Sequence, residues 1–137
     1  MKADAPHPAA ANLAGRHILI VEDEMLIALA LADMVTALGC TSALVSRVGK
    51  GVALATTGMF DAAILDMNLA GEPGYPIAEA LERRGIPFVI TTGYGAEGIE
   101  ADYRGRPMLP KPYLPEHVEA VLLKALGSKS DHISDRG

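Results

Sequence analysis

A chain of 137 residues, 50% hydrophobic but only 4% aromatic, is long enough for one domain around a single aliphatic core. A net charge of −5 and a pI near 5.3 exclude a general nucleic-acid binder, which needs a basic face. Cys40 is the only cysteine, so an internal disulfide is excluded and a reducing, cytoplasmic setting is expected. Residues 1–14 lack the apolar core of a signal peptide, and no run is long enough to span a membrane.

The hydrophobic period switches repeatedly between strand and helix. Residues 1–15, rich in Ala and Pro, read as a flexible tail. A strand over 17–21 precedes a helix over about 24–38, with Ile27, Leu31, Met34, Val35 and Leu38 on one face. Gly39 supplies its left-handed cap. A weak strand over 41–45 leads to a short helix over 48–57 that contains Gly49 and Gly51. Ala62-Ala63-Ile64-Leu65-Asp66 is a buried strand, and a loop over 68–75 follows it. Pro76 fits the first turn of a helix through Arg84, which Gly85 closes. The fourth strand covers 88–92. After Met108 and Leu109, Pro115 opens a last helix with Val118, Val121, Leu122 and Ala125 on one face, ended by Gly127. Residues 128–137 read as a second flexible tail, leaving 16–127 as the domain.

Alternating strands and helices of these lengths require a parallel sheet covered on both faces. Five strands suggest the order 2-1-3-4-5, with the active crevice at the carboxyl ends of the first and third. Glu22, Asp23 and Asp66 would meet there. Three converging carboxylates repel one another unless a cation sits among them, and Mg²⁺ suits such oxygen ligands. The metal would neutralise an incoming phosphoryl group and leave Asp66 as nucleophile. Lys111 and the Thr92 hydroxyl stand at neighbouring strand ends, suited to binding phosphoryl oxygens.

These residues resemble the receiver domain of bacterial two-component response regulators, a flavodoxin-like (βα)5 fold, over residues 16–126. Val21-Glu22-Asp23-Glu24 is similar to the family's acidic metal-binding pair, and Ile64-Leu65-Asp66-Met67-Asn68 to its phosphoacceptor strand end. The resemblance implies that the Asn68 backbone carbonyl ligates the metal, Mg²⁺ with Mn²⁺ as substitute. It also implies that Thr92 is the switch hydroxyl and that the Lys111–Pro112 bond is cis, within a Lys-Pro-aromatic element ending at Tyr113. Met108 stands where the family often has a switching aromatic. Pro87-Phe88-Val89-Ile90-Thr91-Thr92-Gly93-Tyr94 is similar to the single-domain Phe-Ala-Thr-Gly (FAT GUY) receivers, with Ile90 and Thr91 in place of the Phe and Ala.

The resemblance implies a stoichiometric phosphoacceptor, not a turnover enzyme. Its donor would be a sensor histidine kinase, often of the HWE type in that group, or a phosphotransfer protein. Its output would pass through contacts with a downstream protein or serve as a phosphate shuttle or sink, the domain being a monomer or weak homodimer. No output domain fits after Leu126, so neither DNA binding nor cyclase activity is expected, and neither nucleic acid nor membrane is expected as a partner. The Gly-rich segment 93–110 is expected to hold a short or mobile fourth helix that phosphorylation orders.

Other uses compete for each residue taken singly. Asp23 suits a helix N-cap, Lys111 a solvated surface, and Thr91 and Thr92 a β-strand. His7, His17, His117 and His132 lack metal-ligand spacing. Cys40 reads as a small core residue, and Met25, Met34 and Met67 as core or loop positions. A phosphatase or phosphotransferase with an aspartate nucleophile would usually carry a second Asp two residues later, where this chain has Asn68. A constitutive interaction module would not need the full set of acids, Thr and Lys.

Overall fold

The computed structural model describes residues 13–92, 99, 103 and 105–136; the side chains of Thr92 and of 128–136 are not among those described. The element order is β1 (His17–Val21), α1 (Met25–Ala37), β2 (Thr41–Val45), α2 (Val48–Thr57), β3 (Ala62–Asp66), β4 (Asn68–Leu69), β5 (Glu72–Pro73), α3 (Tyr75–Arg83), β6 (Phe88–Thr92), β7 (Met108–Pro110) and α4 (Pro115–Arg136). Five parallel strands pair in the order β2-β1-β3-β6-β7, which is the expected 2-1-3-4-5 once the small β4–β5 hairpin is set aside. This is the flavodoxin-like topology expected from the sequence. Among the described residues, no helix is long and apolar enough to cross a membrane.

Every residue of β3 is buried, as a central strand covered on both faces requires. Its side chains alternate between two cores. Ala63 and Leu65 join Leu19, Val21, Phe88 and Ile90 beneath α2 and α3. Ala62 and Ile64 join Ile18, Ile20 and Val89 against α1 and α4. α1 is apolar almost all round: Ala28, Leu31 and Val35 are buried, while Met25 and Leu26 are 62% and 83% exposed. Met25 is therefore a surface residue, unlike the core or loop position expected from sequence.

Two helices end as their glycines foretell. Gly39 (φ 92) and Gly85 (φ 69) adopt the left-handed conformation. In both, the glycine N–H and the next N–H turn back to the preceding carbonyls, Thr36 and Val35 for α1, Glu82 and Leu81 for α3. The Arg84 guanidinium then reaches the carbonyls of Ala55 and Gly58, tying the end of α3 to the end of α2.

Three boundaries differ from the sequence reading. Leu13, assigned to the tail, is fully buried in the α1–α4 core; its carbonyl accepts the Cys40 thiol at 3.3 Å, and Gly15 N–H donates to Gly39 O. The reading missed it because an Ala- and Pro-rich stretch lacks any period. The segment 68–75, expected as loop, contains the β4–β5 hairpin, held by Gly71 (φ 91) and by Ala70 at φ 55. The α4 backbone runs through Gly127 to Arg136 instead of ending at the glycine, since one glycine weakens a helix without stopping it.

The expected short or mobile fourth helix falls largely on 93–98, 100–102 and 104, outside the described residues. Two apolar residues of that segment are described, and both are buried: Ile99 and Tyr103 belong to the α2–α3 core. Tyr103 packs against Tyr75 and Phe88, and Arg106 lies over the Phe88 ring while pairing with Glu82.

Candidate functional site

The site forms where β1 and β3 end side by side. Val21 pairs with Leu65, so the residues that follow, Glu22 and Asp66, face the same side of the sheet. Asp66 in turn pairs with Thr91 of β6, and Thr91 with Leu109 of β7. Glu22, Asp66 and Thr91 are each at least 96% buried. Ligand oxygens of Glu22, Asp23 and Asp66 all lie within 4.8 Å of one another.

Each carboxylate is oriented by backbone. Glu22 Oε2 accepts the Glu24 N–H at 3.1 Å, Asp66 Oδ1 the Asn68 N–H at 3.0 Å, and Asp23 Oδ2 the Ala70 N–H at 3.1 Å. The last bond refutes the capping use of Asp23: Glu24 occupies the N-cap of α1, and no side chain caps it. The bond also accounts for Ala70, whose positive φ costs about 1–2 kcal/mol in a residue with a Cβ. That turn brings the Ala70 N–H to Asp23 and the Gly71 N–H to Asn68 Oδ1 at 2.9 Å. Gly74 lets the chain pass so close under β3 that an added Cβ would stand 2.8 Å from the Asp66 carbonyl.

Lys111 reaches into the cluster from the end of β7. Its ammonium is 3.5 Å from Asp66 Oδ2 and 4.0 Å from Glu22 Oε1. The peptide joining it to Pro112 is cis. Burial, above all, pushes the carboxyl of Glu22 up to about 7; the Glu24 N–H opposes this, and the Asp66 charge adds to it. Burial likewise raises Asp66, while the Asn68 N–H and Lys111 hold it down. With its three carboxylates deprotonated the cluster would carry two negative charges beyond the one ammonium, and Glu22 Oε1 has no hydrogen-bond partner. An all-oxygen donor set with that surplus fits a hard divalent cation.

Glu22, Asp23, Asp66 and Lys111 are thus brought together as the sequence predicts, with Asn68 directly beyond them. Met108 is half-buried in β7 opposite Ile90 and packs on the α2–α3 core. Thr92 closes β6 opposite Pro110, and its side chain lies outside the described residues. Sequence reasoning missed two other hydroxyls. Thr91 was read as a β-branched strand residue, yet its Oγ1 is buried without a partner, as is the Tyr113 hydroxyl. Strand alternation carried the signal for Thr91, since it sets Thr91 on the same side as Val89 and Asp66.

A family model for the response regulator receiver domain matches residues 18–122. The acid tolerance regulatory protein ActR of Rhizobium meliloti is 29% identical over 94% of this chain and 70% of its own length. The BeF3-activated conformation of SdrG from Pseudomonas melonis Fr1 is 43% identical, with a TM-score of 0.71 over 82% of this chain and 98% of that one. The receiver domain of the sensor histidine kinase PA1611 from Pseudomonas aeruginosa PAO1, with magnesium in its active-site cleft, is similar in fold. Its TM-score is 0.69 at 24% identity, over 83% of this chain and 99% of that one.

Proposed function

The chain belongs to the response regulator receiver domain family, and from that premise we propose that it takes a phosphoryl group onto Asp66 from a phosphohistidine. The donor is a sensor histidine kinase or a phosphotransfer protein. The observation that carries this reading is the setting of Asp66: a buried carboxylate, one oxygen fixed by the Asn68 N–H and the other facing Lys111. The Oδ2 lone pair forms the new P–O bond as the P–N bond to the donor imidazole breaks. The departing ring nitrogen keeps that electron pair and takes a proton from solvent. Lys111, already 3.5 Å from Oδ2, then pairs with a phosphoryl oxygen. The Thr92 hydroxyl binds another as the switch group, with Met108 in place of a switching aromatic.

Glu22, Asp23, Asp66 and the Asn68 carbonyl would hold Mg²⁺, or Mn²⁺ in its stead. The cation supplies the positive charge that lets an anionic nucleophile meet an anionic phosphoryl group. The chain acts as a stoichiometric acceptor: Asn68 stands where aspartyl phosphatases usually place a general acid. It signals through protein contacts, or serves as a phosphate shuttle or sink, as a cytoplasmic monomer or weak homodimer. The likeness of Ile90-Thr91-Thr92-Gly93 to the Phe-Ala-Thr-Gly element supports a kinase of the HWE type as donor.

Intact-mass measurement after incubation with acetyl phosphate and Mg²⁺ tests this reading. One phosphoryl group should be added, lost in Asp66→Asn and strongly reduced in Asp23→Asn or with a chelator. Undiminished labelling of Asp66→Asn would overturn the assignment of the acceptor.

A further inference from the structure

Two of the three acids are held by their own strand ends, and the third is not. Glu22 and Asp66 are buried, and each accepts an N–H from two residues farther along the chain, Glu24 and Asn68. Asp23 is only half-buried, and its Oδ2 accepts an N–H from Ala70, 47 residues away in the turn of the β4–β5 hairpin. Leu69 pairs with Glu72, so Ala70 and Gly71 form a two-residue loop. Both have positive φ, 55° and 91°, the pattern of a type I′ turn, which favours Asn-Gly or Gly-Gly. The Gly71 N–H closes the turn on Asn68 Oδ1 at 2.9 Å. That conformation is free for Gly71, whereas the Cβ of Ala70 crowds the following carbonyl oxygen. Among the described residues, no other with a Cβ has a positive φ. The foot of the hairpin is firm, since Leu69 is buried in the α2–α3 core, but Ala70 and Gly71 are exposed.

We propose that the β4–β5 hairpin sets the affinity of the divalent-cation site through the backbone of Ala70, a positioning residue that offers the metal no ligand of its own. With residue 70 left-handed, its N–H holds Asp23 in the cluster against the repulsion of two like charges. When the residue relaxes to a negative φ, the peptide turns, the N–H leaves Asp23 and the carboxylate swings to solvent. The cation needs Asp23 in place, so metal binding and the left-handed turn favour each other, by the same factor in both directions. Alanine at this position keeps the site weaker than its ligands allow, because part of the binding free energy goes into holding the turn. The inference rests on the metal site proposed above and on no step of phosphoryl transfer.

Calorimetric titration of the whole chain with Mg²⁺, without any phosphodonor, tests it on variants that change no ligand. Ala70→Gly removes the crowded Cβ and should lower the Mg²⁺ Kd by about threefold or more. Ala70→Asn restores the favoured Asn-Gly turn and should also bind more tightly than wild type. Ala70→Val, whose branched Cβ resists a positive φ, should raise the Kd by about tenfold or more, as loss of support to a metal ligand typically does. A role in fold stability alone would shift the melting temperatures and leave these Kd values equal. Ala70→Gly relieves the turn, so it decides the matter if Ala70→Val fails to fold. The reciprocal measurement is amide hydrogen exchange in the wild type, where Mg²⁺ should slow exchange at Ala70 and Gly71. Any other order of affinity among the folded variants, or exchange at Ala70 indifferent to Mg²⁺, would overturn the linkage while leaving the metal site standing. If the wild type binds no Mg²⁺, both ideas fall together, whereas failed phosphorylation with intact Mg²⁺ binding touches only the acceptor reading.

Discussion

Burial at Glu22 works against ionisation, and this gives the free protein a pH dependence with a definite sign. Its folded-state carboxyl titrates near 7, against an ordinary value of 4.5. Between those limits the folded state holds more protons than the unfolded one, so stability must fall as pH rises. Asp66, also raised by burial, acts in the same direction. The melting temperature of the metal-free protein is expected to drop from about pH 4.5 to about pH 7. Saturating Mg²⁺ should flatten the drop, since the cation takes the proton's place, and Glu22→Gln should remove much of it without metal. A melting temperature that rises through this window would contradict the buried acid. At this scale the sequence was readable wherever a polar residue ended an apolar run, as at Glu22, Asp66 and Lys111. It was silent where chemistry depends on what lies opposite: the Ala70 N–H that turns Asp23 toward the cluster is 47 residues away.

The elements show the same division between local and distant causes. Strands and helices with strong period lie where their patterns put them, and the left-handed glycines close α1 and α3. The β4–β5 hairpin had no period to reveal it, because two-residue strands carry none. The other glycines differ in what they permit. Gly49, within α2, has open space where a Cβ would project, so Gly49→Ala should stabilise the fold by up to about 1 kcal/mol. Gly74 has none: the Asp66 carbonyl and the Leu65 side chain crowd that position. Gly74→Ala should cost about 1–3 kcal/mol and weaken Mg²⁺ binding, because relief of the clash must move the strand end that carries Asp66. Denaturant titration of the pair checks both signs; equal effects would mean that the close approach imposes no constraint.

For the molecule as a whole, the sheet divides two differently built faces. Under α2 and α3 the core gathers the described aromatics Phe88 and Tyr103, with Phe60 and Tyr75 at its margin. The Arg84 brace and the Arg106–Glu82 pair cross its outer edge. The buried core under α1 and α4 is aliphatic, with Tyr113 at its margin, and Asp66 and Thr91 lie on that side of the sheet. Sequence predicts the two-sided core from the alternation in β3, but not the braces, which join Arg84 to carbonyls 26 and 29 residues away.

The contact between Cys40 and Leu13 equips the molecule with an internal clock. The sole thiol is 3% exposed, its proton points at the Leu13 carbonyl, and burial keeps it from ionising. A thiol reagent can react only in the fraction of time when that segment has lifted, since the thiolate is the reactive form. The labelling rate therefore counts excursions of one edge of the fold and needs no engineered probe. Leu13→Ala should speed labelling by about tenfold for every 1.4 kcal/mol of lost local stability, with the far-ultraviolet circular dichroism unchanged. If wild type and variant react at equal rates, the segment opens only when the whole domain unfolds, and the clock records global events alone.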